Sequence, residues 1–145
     1  MKNSQTPEIT IDKEGKWFSD GVLMTRKEIV NLFSTHLIKT GPDSYQIDWQ
    51  NKTHPVKAED VPFFVQSVTE TDGRFILQLY DGREVPMPPG PITIKNRTPY
   101  ISLFWPDDTK LSRSSYNDLC QHLVERDGRY IIQYGNNEWP VEETD

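Results

Sequence analysis

One stretch of this chain is written three times, and that repetition constrains the fold more than any single motif does. Each copy alternates apolar residues with others over five positions, crosses a turn, and ends on a triplet centred on proline. The copies are Tyr45-Gln-Ile-Asp-Trp49 with His54-Pro55-Val56, Phe75-Ile-Leu-Gln-Leu79 with Val85-Pro86-Met87, and Tyr130-Ile-Ile-Gln-Tyr134 with Trp139-Pro140-Val141. Alternation of period two sends successive side chains to opposite faces, so each copy predicts a β-hairpin with one apolar face. Asp81-Gly82 predicts a two-residue turn because both residues tolerate positive φ; Asn136-Asn137 and Asn51-Lys52 are weaker versions. Asp72-Gly73-Arg74 and Asp127-Gly128-Arg129 precede the second and third copies and read as turns. The proline of each returning strand lacks an N–H donor and is expected at a sheet edge or a strand end.

A larger duplication surrounds two of the hairpins. Ile9-Thr10-Ile11 recurs as Ile92-Thr93-Ile94, Trp17-Phe18 with Asp20 recurs as Phe104-Trp105 with Asp107, and Thr25-Arg26 recurs as Ser112-Arg113. The second unit carries four extra residues before its helical stretch. Ile29, Val30, Leu32, Phe33 and Leu37 mark one helical face; Tyr116, Leu119, Cys120, Leu123 and Val124 mark the other. Thr25 with Glu28 predicts a capping box for the first helix, and Ser112 predicts the cap of the second. Gly41-Pro42 and Asp127-Gly128 are the expected helix stops.

These patterns predict an α+β fold: two related β-plus-helix repeat units joined by a β-rich middle, with mostly antiparallel hairpins. The boundaries fall at 1–60, 61–91 and 92–145. Val61 to Val68 reads as a strand of the middle segment, and Pro86 to Pro91 as a stiff linker. The predicted core comprises Trp17, Phe33, Trp49, Leu119, Leu123 and Trp139.

Composition narrows function by exclusion. The net charge is −6 and the 16 Lys and Arg residues are scattered, an unfavourable surface for a phosphate backbone. A single cysteine, Cys120, forms no intramolecular disulfide. No apolar run approaches the roughly 20 residues of a membrane span, and Met1 to Glu8 lacks a signal-peptide core, so a cytoplasmic protein is expected.

The string Trp17-Phe18-x-x-Gly21-x-x-x-x-Arg26-x-x-Ile29-Val30-x-Leu32-Phe33 resembles domain-of-unknown-function family 1285 (DUF1285), a bacterial family of uncharacterised proteins. Val56-x-x-Glu59-Asp60-Val61-Pro62-Phe63 and the duplicated layout resemble it too, over Ile9 to Val141. The chain departs from it in a short segment between Met87 and Tyr100, and in Val22-Leu23 where a proline-containing turn is expected. The resemblance implies an α+β fold built from repeats and carries no catalytic residues.

No catalytic constellation emerges. His36, His54 and His122 have no metal-ligand spacing, and no metal or cofactor is expected. Cys120 takes a packing position, matched to Phe33 of the first unit. Glu142, Glu143 and Asp145 read as a solvated acidic tail, and Asp107-Asp108 as a loop. Arg26 and Arg113 are the candidate site residues. Each is read in the first turn of a helix, where the dipole disfavours a cation. Either each pairs with the acid six residues earlier, Asp20 or Asp107, or they form an anion-binding site. The function expected is a small acidic non-enzymatic binding or regulatory module, with a signalling role and a protein partner or small anionic ligand. The alternatives are an enzyme with an unfamiliar site at the junction of the units, or a structural, oligomer-forming protein.

Overall fold

The computed structural model describes residues 7–144, so Met1 to Thr6 and Asp145, with the expectations that fall on them, lie outside it. The chain divides into two compact units at Pro62 and Phe63. Among the described residues no helix is long and apolar enough to cross a membrane. Among those residues the fold is α+β and mostly strand, with two short helices.

In the first unit the strands are β1 (Ile9–Ile11), β2 (Trp17–Ser19), β3 (Val22–Leu23), β4 (Leu37–Gly41), β5 (Ser44–Trp49) and β6 (Lys52–Ala58), with helix α1 (Lys27–Thr35) between β3 and β4. They form one sheet in the order β3-β2-β1-β6-β5-β4. Ile9, Ile11, Trp17, Val30, Leu37, Tyr45, Ile47 and Val56 are buried.

The second unit opens with β7 (Phe63–Thr71), β8 (Arg74–Leu79) and β9 (Glu84–Pro86). It continues with β10 (Ile92–Lys95), β11 (Thr98–Ile101), β12 (Thr109–Leu111), helix α2 (Arg113–Cys120), β13 (Leu123–Arg126), β14 (Arg129–Tyr134) and β15 (Asn137–Thr144). Its nine-stranded sheet runs β13-β14-β15-β10-β11-β12-β7-β8-β9. The strands of residues 92–144 therefore repeat the order of the first unit: the last strand runs parallel beside the first, as β15 beside β10 and β6 beside β1. The middle strands join this sheet through the parallel pair β7–β12. Strands adjacent in sequence within a hairpin pair antiparallel, so the sheets are mixed. The core of this unit gathers Val65, Phe75, Leu77, Ile92, Leu111, Leu119, Ile132 and Trp139.

The three written copies share one register. The proline stands opposite Gln46, Ile76 and Ile131 respectively. Only Pro86 lies at an edge, on β9. Pro55 and Pro140 lie in interior strands, one residue before their parallel partner begins at Val56 and Val141. There the strand is flanked on one side only, so the missing donor leaves no gap in a two-sided ladder.

The turns differ from expectation by a residue. Gln50-Asn51, with φ of 53° and 62°, closes β5–β6, and Gly135-Asn136 closes β14–β15. Between β8 and β9 the loop is longer than two residues. Leu79 N–H donates to the Arg83 carbonyl and Gly82 N–H to the Leu79 carbonyl, and Gly82 takes a φ of 95°.

Both helices end earlier than their apolar period suggests. Leu37 begins β4 and Leu123 begins β13, each pairing across a hairpin with Ile47 and Ile132. Asp127-Gly128 is the turn of β13–β14, not a helix stop. Leu123 is consequently 39% exposed on an edge strand, outside the core. Trp17, Leu119 and Trp139 are buried, while Phe33 and Trp49 are half-buried. The acidic tail is also strand: Glu142 and Glu143 lie in β15 opposite Thr93 and Ile94. Residues 86–91 are no free linker, because Met87 is buried and the Pro88 carbonyl accepts the Trp139 indole N–H at 2.8 Å.

Candidate functional site

The two six-stranded arrangements differ most between their second and third strands. In the first unit Asp20-Gly21 joins β2 to β3 in a tight turn, with φ of 50° and 80°. In the second, residues 102–108 intervene between β11 and β12. This loop holds the extra length noted in the sequence. It also displaces the aromatic pair: Thr10 faces Phe18 and Thr93 faces Tyr100 across equivalent strands. Phe104-Trp105 therefore has no counterpart in Trp17-Phe18.

Seven residues of loop leave several backbone N–H groups without a strand partner, and Asp108 supplies the acceptor. One carboxylate oxygen accepts Leu103 N–H at 2.8 Å and the Thr109 hydroxyl at 2.9 Å. The other accepts Phe104 N–H at 2.9 Å and Trp105 N–H at 3.0 Å. Asp108 is 3% exposed, so these bonds act where water screens them little. Asp107 N–H donates to the Ser102 hydroxyl at 2.7 Å, and Phe63 N–H ties β7 to the Asp108 carbonyl.

The loop so held presents aromatic rings in fixed array. Phe63 packs edge-on to Phe104 at 5.3 Å between centroids and stacks on Trp105 at 5.9 Å. The Arg83 guanidinium lies 5.4 Å from the Phe63 ring centre and 5.3 Å from that of Phe104. Buried Asp81 orients it, accepting Nε at 3.0 Å, Nη2 at 2.8 Å and the Arg83 backbone N–H at 2.9 Å. Phe104 remains 52% exposed on this hydrogen-bonded loop. The sequence reading took Asp107-Asp108 as a loop and missed the burial of Asp108. The available signal was an aromatic pair followed within four residues by an Asp placed immediately before a strand.

The arginines singled out from sequence sit in unlike positions. Arg26 is itself the N-cap of α1, without a side-chain cap, so the expected box of Thr25 and Glu28 does not form. Ser112 caps α2 by accepting Ser115 N–H at 3.1 Å, and Arg113 follows it as the first helical residue. Arg26 meets Glu28 at 3.7 Å rather than Asp20, whose carboxylate accepts Glu8 N–H. Asp107 pairs with Lys95 at 3.3 Å rather than with Arg113, which makes no ion pair among the described residues. Cys120 is half-buried and hydrogen-bonded to Tyr116. His122 contacts Glu70 at 2.8 Å, and Nδ1 of His36 lies 2.9 Å from the Leu32 carbonyl.

No family model and no curated protein matches the sequence. Solved structures do. A DUF1285 family protein from Silicibacter pomeroyi DSS-3 superposes with a TM-score of 0.77 at 19% identity, covering 94% of this chain and 80% of its own. A DUF1285 family protein from Shewanella baltica OS155 superposes with a TM-score of 0.64 at 17% identity, covering 81% of this chain and 94% of its own. The resemblance carried by Trp17-Phe18 and the residues after it is thus matched at the level of fold.

Proposed function

From a chain with the fold of the DUF1285 family proteins, we propose a non-enzymatic binding module built on a duplicated six-stranded arrangement, residues 9–58 and 92–144, serving a regulatory role through a protein partner. The shared strand order and the shared hairpin register support the duplication. The observation that carries the binding reading is Phe104: a large aromatic ring, half in solvent, on a loop that a buried carboxylate holds rigid. Aromatic anchors pre-organised in this way lose little conformational freedom on association and dominate interface energetics. The loop is also where the two similar units differ, and loops on a common scaffold are where function diverges.

The test is affinity capture and in-cell crosslinking from position 104, comparing wild type with Phe104→Ser and Phe104→Tyr. A partner held by wild type and by Phe104→Tyr, and lost from Phe104→Ser with its melting temperature unchanged, supports the reading. A partner held equally by all three overturns this surface as the docking site. Asp108→Asn removes the charge that organises the loop while leaving Phe104 in place. It should weaken capture at least severalfold, since hydrogen bonds to a charged acceptor exceed neutral ones.

A further inference from the structure

In the second unit the hairpins β7–β8 and β14–β15 meet at their turns, where Gly73 and Gly135 lie backbone to backbone. The contact brings the start of β8 beside the start of β15. Phe75 stacks on Tyr134 at 4.7 Å and leans on Trp139 at 5.3 Å. Beside these rings opens a cleft of about 330 Å³, lined by Phe75, Met87, Trp139, Pro86, Arg74 and Asn137. That volume lies at the lower end of small-molecule sites, and an apolar wall with few polar groups is their usual composition.

The polar groups of this cleft are unevenly paired within the protein, and Arg74 and Asn137 are exposed to solvent. Glu138, also at its edge, is held by Arg126 at 3.0 Å and by Gln133 at 3.4 Å. The Trp139 indole N–H is held by the Pro88 carbonyl. The side chains of Arg74 and Asn137 have no hydrogen bond or ion pair with another described residue. Matched negative charge and unmatched positive charge at an apolar pocket favour an anion with an apolar body. A planar guanidinium and an amide lining the same cleft suit the two oxygens of a carboxylate. We propose that this cleft binds a small organic carboxylate, its apolar body against Phe75, Met87 and Trp139 and its charged end at Arg74 and Asn137. The site is separate from the Phe104 loop and does not rest on the docking reading.

The full chain would be titrated with 3-phenylpropionate, octanoate and the neutral 3-phenylpropanamide. The indole N–H resonance of Trp139, identified by its loss in Trp139→Phe, serves as readout. A carboxylate should shift that resonance saturably and bind about tenfold or more tighter than the amide. Arg74→Gln should weaken the carboxylate by about tenfold, leave the amide unchanged and keep the thermal midpoint. Equal affinity for acid and amide, unchanged binding by Arg74→Gln, or no saturable shift with either carboxylate overturns the proposal.

Discussion

Gly135 packs on Gly73 so closely that a Cβ on Gly135 would stand 3.0 Å from the Gly73 Cα and closer still to its carbonyl oxygen. Gly135 also holds a φ of 61°, where a side chain crowds its own backbone. Gly135→Ala is expected to cost about 2–5 kcal/mol, joining left-handed strain to overpacking against backbone. Gly128→Ala shares the positive φ, at 78°, but meets nothing within 4 Å. It should cost about 1–2 kcal/mol. Urea unfolding of the two variants measures the difference, and equal losses would show that the turn-to-turn contact is not tight.

Arg26 occupies a cap position that rewards Asp, Ser, Thr or Asn. Its side chain accepts nothing from the helix, and its cation faces the positive end of the dipole. Arg26→Asp should stabilise the chain by about 0.5–2 kcal/mol, read as a raised melting temperature. Ser112→Ala should destabilise by a similar amount, because Ser112 already caps α2. A fall in stability with Arg26→Asp would show that Arg26 makes a contact worth more than a cap.

Leu119 and Leu123 test where α2 ends. Both fit one helical face by spacing, yet Leu119 is fully buried and Leu123 is 39% exposed on β13. Leu119→Ala should cost about 2–5 kcal/mol. Leu123→Ala should cost less than about 1 kcal/mol, as surface changes do. Equal costs in chemical denaturation would return Leu123 to the core.

Tyr116 predicts a loss of stability in alkali. Burial first, and its hydrogen bond to Cys120 second, raise its pKa from 10.0 to about 12. Above the lower value the unfolded chain releases the phenolic proton while the folded chain keeps it. The contribution is therefore complete below pH 10.0 and declines as the pH rises toward about 12. Urea midpoints of wild type should fall more steeply across this range than those of Tyr116→Phe. Parallel slopes would show that Tyr116 ionises alike in both states.

Alternation and turn chemistry are local, and they were legible. Tyr45, Ile47 and Ile132 face inward as period two requires. Asp72-Gly73 and Asp127-Gly128 turn because Asp and Gly accept positive φ with little help from elsewhere. The proline of each copy even marks the same place in the register. Helix ends were not legible, because Leu37 and Leu123 satisfy a helical period and an edge strand equally well. Only pairing with Ile47 and Ile132 chose between them.

The candidate sites lay further out of reach, for the same reason. Asp108 became a buried organiser when the strands on either side closed the loop around its carboxylate. Arg83 joined Phe63 and Phe104 across long separations in sequence, and Arg74 and Asn137 line one cleft because two glycine turns let distant hairpins touch. The sequence by itself determined the three hairpins that alternation and proline mark, and the neighbourhood of their turns, since those choices depend mostly on adjacent residues. The tertiary structure decided where the helices give way to β4 and β13, what caps the first of them and which side chains assemble into sites, since those depend on partners that no local pattern names.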